Sequence, residues 1–279
     1  MAIIIADTTC GLPRELLKQR GIPLIPQVVE FEDQSYHDDV ELDTATFLQK
    51  LKSASSLPKT AAPEPPLYYP IFRKAREKNE SVIVIAPTGK ASGTARSAHI
   101  AAQEFPGMDI RIVDTLTIAG NLGSLVLLAD QWAKQGMDAN AIVKCLEEMI
   151  PRGRIYFLVN TLEYLAKGGR IGGAKKLLAE LLEIKPILTV REGQVEAFEQ
   201  QRTKKRALAR LIEIVKEQCP KSADAHLCVM QADAETEARE LAASLRSELG
   251  GGEIPIYELP PAIVVHAGPG TLAVGFFAA

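Results

Sequence analysis

The sequence lacks the charge imbalance and the long apolar runs that mark several classes of protein. Its net charge is -3 and its pI is near 5.9, whereas nucleic-acid-binding proteins usually carry a strong basic excess. It contains no run of about 18 apolar residues, so we expect no stable insertion into a membrane. The first apolar run ends at Asp7 and no basic segment precedes it, so we also expect no signal peptide.

Cysteine is scarce and scattered. No C-x-x-C pair and no Cys/His spacing typical of a metal site occurs. The four cysteines are Cys10, Cys145, Cys219 and Cys228. We therefore expect no disulfide framework, no metal site and a cytoplasmic location, where thiols stay reduced.

The 279 residues, 47% of them hydrophobic, are enough for about two domains. The continuous apolar run at residues 81–86 predicts a strand of a parallel sheet, and we also predict a buried strand at residues 3–6 and a further strand at 109–114. Helices are predicted between and after them, at residues 94–105, 116–135 and 139–149. Strands that alternate with helices are typical of an α/β fold.

A Pro-Arg-Gly segment at residues 151–153 marks a predicted domain boundary. We expect one α/β domain at residues 1–151 and a second, with a mixed sheet, at 152–279. The second contains a predicted hairpin, and residues 262–265 predict a further strand. In the first, residues 33–39 predict a polar loop, and the prolines between residues 57 and 66 exclude a helix or a central strand.

The loop at residues 86–94 joins a predicted strand to a predicted helix. Ligands of open α/β sheets bind at the carboxyl ends of the strands, and a helix N-terminus there offers free N–H groups. Ser92 therefore lies where a carboxylate or phosphate would be held, or else it caps the helix. Asp7, Thr8 and Thr9 follow the first strand at the same edge, where their side chains either bind ligand or satisfy backbone groups.

The sequence supports a catalytic function of these residues less well than it supports ligand binding. The loop is not a Walker A motif, because Ala91 follows Gly89-Lys90, and it lacks the G-x-S-x-G nucleophile elbow. A Ser92, Asp114 and His266 triad would still have the chain order of α/β-hydrolases, so a serine esterase stays open as an alternative. A phosphate or nucleotide binder that uses the glycine loops is a third hypothesis.

Two basic clusters predict either a solvated face or contacts with an anionic partner. One surrounds a glycine pair and contains Lys167, Arg170, Lys175 and Lys176. The other contains Arg202, Lys204, Lys205 and Arg206. The glycines beside Arg170 would allow close approach of a partner or an anion.

Two motifs of the chain are specific, K-G-G-R-I-G at Lys167–Gly172 and I-K-P-I-L at Ile184–Leu188. Weaker motifs lie at Asp7–Pro13, Thr60–Pro63, Ala91–Ala98, Arg202–Ala207 and His266–Gly270. Taken in order, these motifs resemble the DegV family over almost the whole chain. The resemblance implies a Rossmann-like parallel-sheet domain plus a second α/β domain with a mixed sheet.

The resemblance also implies a function without catalysis. It implies a lipid-binding carrier with no cofactor, which holds a long-chain fatty acid in a hydrophobic tunnel between and within the two domains. The carboxylate would be bound by Thr60, Ser92 and His266. The head-group loops would add Asp7, Thr8, Gly93 and Thr94.

The implied partner is a separate fatty-acid kinase, which phosphorylates the bound acyl group for phospholipid synthesis. Arg170 and Arg202 would contact that partner or the phosphate. The chain departs from the family pattern at Ala61, Ala62, the Pro87-Thr88 pair and Gly11. Because Thr60 and Ser92 are kept, we expect binding to persist despite these departures.

Overall fold

The computed structural model describes residues 2–32, 34–178, 184–250 and 252–279. Its first sheet is parallel, in the order β2-β1-β6-β7. These strands are β1 (Ile3–Asp7), β2 (Leu24–Ile25), β6 (Val82–Ala86) and β7 (Ile110–Asp114). The α-helices that accompany this sheet are α1 (Arg14–Arg20), α3 (Tyr69–Glu77), α4 (Thr94–Gln103), α5 (Ala119–Lys134) and α6 (Ala139–Met149).

Apolar side chains cover both faces of this sheet. Ile4, Ile83 and Ile85 pack against Leu122 and Leu125 of α5 on one face. The alternating residues Ile5, Val82 and Val84 pack against α3 and α4 on the other. Because successive side chains of a strand point to opposite faces, a strand buried on both sides needs the continuous apolar run that this sequence has.

The second sheet is mixed, in the order β10-β9-β8-β13-β11-β12, with only β11 and β12 parallel. Its strands are β8 (Gly153–Leu158), β9 (Lys185–Arg191), β10 (Gln194–Gln201), β11 (Cys228–Ala232), β12 (Ile256–Glu258) and β13 (Thr271–Phe277). Its helices are α7 (Glu163–Lys167), α8 (Lys204–Gln218), α9 (Glu235–Leu249) and α10 (Pro261–Ala267). These two sheets confirm the predicted fold class.

A third, antiparallel sheet is formed by the segment between β2 and β6 of the first sheet and has the order β4-β3-β5. Its strands are β3 (Val28–Phe31), β4 (Gln34–His37) and β5 (Lys59–Ala61), and α2 (Thr44–Ser53) follows β4. Short 3-10 helices occur at Thr8–Cys10, Pro65–Tyr68, Ile150–Arg152, Gly172–Leu177 and Ala223–Ala225. In the proline-rich segment, β5 is an edge strand, as the prediction allows.

Two sequence predictions are wrong. Residues 33–39 hold β4 rather than a loop (Asp33 lies outside the described residues), because the backbone of β3 pairs with a strand whose polar side chains face solvent. Residues 262–265 belong to α10 rather than a strand, since a short apolar run fits either element. The buried central strand β13 has no counterpart in the sequence prediction.

One apolar cluster joins the two halves of the sequence. It packs Val29 and Phe47 against Ile155, Phe157 and residues of α10. The division into domains at residues 1–151 and 152–279 stays a prediction. Among the described residues, no helix is long and apolar enough to cross a membrane.

Candidate functional site

A cavity of about 210 Å³ lies where the three sheets and α10 meet. One part of its lining, which we call the polar end, consists of Gln27, Thr60, Ser92, Arg170 and His266. Another part, the apolar wall, consists of Ile118, Ile155, Phe157, Val190, Ile263 and Ala273. The cavity therefore offers an apolar compartment with a group of hydrogen-bonding side chains.

Strand alternation builds the apolar wall. Ile155 and Phe157 of β8 and Ala273 of β13 line the cavity, and Phe157 pairs with Ala273 across the two strands. The intervening residues Tyr156 and Leu272 join the cluster on the opposite face, under α8 and α9. This period of two gives one face of the mixed sheet to the protein core and the other to the cavity.

Thr60 and His266 meet at the polar end. Thr60 is held by β5, where it pairs with Val29 of β3, and His266 is carried by α10. The Thr60 Oγ1 and His266 Nε2 atoms are 2.7 Å apart. Residues separated by more than two hundred positions thus form one hydrogen-bonded pair.

The environment of His266 fixes its charge and its tautomer. Burial, reinforced by the positive charge of Arg170, lowers the pKa of His266 to about 4, so the ring is neutral at neutral pH. Its Nδ1 is buried with no hydrogen-bond partner among the described residues. A proton on Nδ1 would lack an acceptor, so it is favoured on Nε2, which lies beside Thr60 Oγ1. His266 then donates to Thr60 Oγ1, and the Thr60 hydroxyl is free to donate into the cavity.

Ser92 lies in the predicted strand-to-helix loop, directly before α4. Its N–H donates to the carbonyl of Thr88 at 3.0 Å, and its Oγ lies 2.9 Å from Thr94 Oγ1. A Cβ placed on Gly93 would lie 3.0 Å from the Cβ of Ala62, so the loops of Thr60 and Ser92 are in contact. The structure brings Thr60, Ser92, Gly93 and His266 to one cavity, as the family resemblance implies, and their binding role stays a prediction.

Asp7, Thr8 and Thr94 lie behind the cavity lining and are buried. Asp7 accepts hydrogen bonds from the N–H and hydroxyl of Thr9, from Thr94 Oγ1 and from Gln27 Nε2. Burial raises the pKa of Asp7, and these hydrogen bonds oppose the rise. Asp7, Thr8 and Thr94 are therefore placed to support the site from behind.

The two predicted arginines lie in different places. Arg170 lines the cavity and donates to the carbonyls of Ala91 at 3.1 Å and of Gly168 at 2.7 Å. It thereby joins the K-G-G-R-I-G segment to the loop that carries Ser92. Arg202 is exposed, directly before the cap of α8, and does not line the cavity.

Sequence reasoning missed Gln27, which also lines the cavity together with Thr9 of the first head-group loop. Gln27 is buried, with 4% of its surface exposed. It stands in an otherwise apolar segment between Pro26 and Val28. A lone polar residue in such a run needs a hydrogen-bond partner when buried, and this signal could have drawn attention to it.

The esterase arrangement is not assembled in this structure. A triad needs an acid that holds Nδ1 of the histidine, and Nδ1 of His266 has no hydrogen-bond partner among the described residues. Asp114 is exposed and accepts from the N–H groups of Gly89 and Leu116. Within the described ranges, no group of histidine, cysteine or acidic residues could hold a metal ion.

Comparisons with known proteins agree with the resemblance seen in the motifs. The model of the family described as "Uncharacterised protein, DegV family" matches residues 1–279. A DegV domain-containing protein of Deinococcus radiodurans is 35% identical over 271 residues, which cover 97% of this chain and 96% of that protein.

Two solved structures share the fold over the whole chain. A DegV family protein from Thermus thermophilus, described by its fatty acid binding, has a TM-score of 0.87 and 31% identity, and the match covers 100% of this chain and 99% of that one. DegV from Bacillus subtilis, described as a fatty acid binding protein, has a TM-score of 0.88 and 28% identity, with the same coverage. The chain therefore belongs to the DegV family.

Proposed function

We propose that this protein is a carrier that binds a long-chain fatty acid in the cavity, with the carboxylate at Thr60, Ser92 and His266 and the acyl chain along the apolar wall. The observation that carries the proposal is an apolar cavity with hydroxyl and imidazole groups gathered at one part of its lining. Two structural relatives are described as fatty-acid-binding proteins, which supports the same ligand here.

The energetics favour this ligand. Burial of about 15 methylenes contributes roughly 12 kcal/mol, at about 0.8 kcal/mol each, before the cost of ordering the ligand. A buried carboxylate must be hydrogen-bonded. The hydroxyls of Thr60 and Ser92 provide donors, and the half-buried Arg170 provides a positive charge nearby.

Mass spectrometry of the purified protein after denaturing extraction tests the proposal. We expect a fatty acid of long chain length at close to one molecule per chain. A nucleotide, or no lipid at all, would contradict it. The carrier has no catalysis of its own in this proposal, so we also expect that a fluorophosphonate does not label Ser92.

The proposal includes a partner, a separate fatty-acid kinase that phosphorylates the bound carboxylate in the cytoplasm, where ATP is available. Arginine suits contact with a phosphate or an anionic partner because its planar fork holds phosphate oxygens and stays charged. Arg202 is exposed and outside the cavity. An assay with a cognate kinase, ATP and parallel lipid extraction should show less acyl phosphate but unchanged lipid content for Arg202→Ala.

A further inference from the structure

Gln27 is held at both its backbone and its side chain. It lies between β2 and β3, and its N–H donates to Thr8 Oγ1 at 3.1 Å. Its side-chain Nε2 lies 2.6 Å from Asp7 Oδ2, 2.6 Å from Thr94 Oγ1 and 3.4 Å from Ser92 Oγ. The same side chain lines the cavity, so it connects the buried Asp7 to the polar end.

The chemistry of Asp7 fixes the orientation of this amide. The two carboxylate oxygens accept four hydrogen bonds, which favour the ionised form that only accepts and oppose the effect of burial on its pKa. The amide atom facing it must therefore be the NH₂ group. One N–H of Gln27 is given to Asp7, and the other is directed at Thr94 Oγ1.

These bonds determine where the hydroxyl protons go. The single proton of Thr94 Oγ1 is donated to Asp7 Oδ2 at 2.8 Å, so Thr94 has none left for Ser92. Gln27 supplies Thr94 with a donor. Ser92 Oγ accepts from the Thr94 N–H at 3.3 Å. The Ser92 hydroxyl can therefore turn from Thr94 Oγ1 to donate to a ligand, and both hydroxyl groups keep a hydrogen-bond partner.

Charge gives Gln27 a second effect. An ionised Asp7 behind the lining would repel a carboxylate in the cavity. Gln27 and Thr94 both donate to Oδ2 of Asp7, so neutral donors occupy the oxygen that is linked to the polar end. A carboxylate at Ser92 therefore meets hydrogen-bond donors rather than a bare anion.

We infer that Gln27 is a positioning residue for the head-group site, whose amide directs the Ser92 hydroxyl toward the ligand carboxylate and separates that carboxylate from Asp7. This inference rests on the proposed fatty-acid-binding function. In this role Gln27 contacts Ser92, which donates to the ligand, and Gln27 need not contact the ligand itself.

The test compares palmitate affinity in Gln27→Glu, Gln27→Met and the exposed control Gln34→Glu, at pH 8 and pH 5, each relative to wild type at that pH. Gln27→Glu places an acceptor against Asp7, and we expect affinity at least about 10-fold below wild type at pH 8. At pH 5 part of the affinity should return, because a protonated carboxyl can donate one hydrogen bond to Asp7, whereas the amide donates to both Asp7 and Thr94. Gln27→Met should lose about 10-fold at both pH values, and Gln34→Glu should match wild type.

Wild-type affinity for Gln27→Glu or Gln27→Met at pH 8 would overturn the inference. An equal loss at both pH values for Gln27→Glu would also overturn it, since the loss would then not depend on whether residue 27 donates a hydrogen bond to Asp7. If Gln27→Glu does not fold, the Gln27→Met result decides. Thr60→Ala separates the two proposals. Weak palmitate binding by Thr60→Ala together with normal binding by the Gln27 variants rejects only the inference about Gln27. If the wild-type protein does not bind palmitate, the proposed function itself is rejected.

Discussion

The polar end and the apolar wall of the cavity are built in different ways. The side chains of the polar end come mostly from loops and short elements of the first half of the chain, and each is held by named hydrogen bonds. The apolar wall comes mostly from one face of the mixed sheet and is held by packing. A change at the polar end therefore breaks a specific bond, whereas a change in the wall alters only buried area.

The largest effect should follow loss of the two hydroxyls at the polar end. Thr60→Ala and Ser92→Ala each remove a hydrogen bond to a charged group, worth about 1.5–3 kcal/mol, or roughly 10- to 150-fold in affinity. Thr60→Ser keeps the hydroxyl and should lose far less. Titration of each variant with palmitate measures this. Unchanged affinity in both alanine variants would place the carboxylate elsewhere.

The next effect concerns how the polar end is kept in shape. A Cβ on Gly168 would lie only 2.2 Å from His266 Nδ1 and 2.9 Å from the carbonyl oxygen of Tyr164. Gly168→Ala must displace the ring, at a cost of about 1–3 kcal/mol, and should lower palmitate affinity about 10-fold by separating His266 from Thr60.

Gly173→Ala is the matched control, because its Cβ would meet nothing nearer than 3.6 Å. We expect wild-type affinity and thermal stability for this control. Equal losses in the two variants would show that the segment, rather than the approach to His266, is sensitive.

A smaller effect should appear in the pH dependence of stability. Asp38 is fully buried, its Oδ1 accepts from the Ala262 N–H at 3.1 Å, and it thereby holds the start of α10. Burial raises the pKa of Asp38 to about 7, so the protonated form is favoured in the folded state. The protonated carboxyl therefore adds to the free energy of unfolding. This contribution is fully present below the ordinary aspartate pKa and is lost as the pH rises through about 7.

Asp38→Asn mimics the protonated form and removes that loss. We expect the difference in Tm between Asp38→Asn and wild type to become more positive from pH 5 to pH 8, by at least about 2–4 °C. The exposed Asp233→Asn serves as the control and should show a constant difference. A constant difference for Asp38→Asn as well would mean that Asp38 is ionised in the folded protein.

The smallest effect is expected in the apolar wall. Ile155→Val removes one methylene from the cavity lining, worth about 0.8 kcal/mol, or roughly fourfold in palmitate affinity. Ile214→Val makes the same change in α8, which packs on the opposite face of the mixed sheet, and should leave affinity unchanged. A loss for Ile155→Val as large as that of Thr60→Ala would erase the distinction between the two regions.

The same distinction explains what the sequence could predict. Apolar runs reveal the parallel strands, because burial on both faces leaves a local pattern in the chain. The segment of α10 has no such pattern, since it is short and apolar all round. The bonds of Gln27 to Asp7 and Thr94 span 20 and 67 positions, so no local spacing could reveal them. Thr60, Ser92, His266 and Arg170 were found through motifs, whereas their hydrogen bonds required the fold.

A crystal structure of the protein purified with its bound ligand tests the central claim most directly. We predict one long acyl chain along Ile155, Phe157 and Ala273, with a carboxylate oxygen within hydrogen-bond distance, about 3.2 Å or less, of both Thr60 Oγ1 and Ser92 Oγ. An acyl chain whose carboxylate lies away from these hydroxyls, or a different class of ligand in the cavity, would contradict the account.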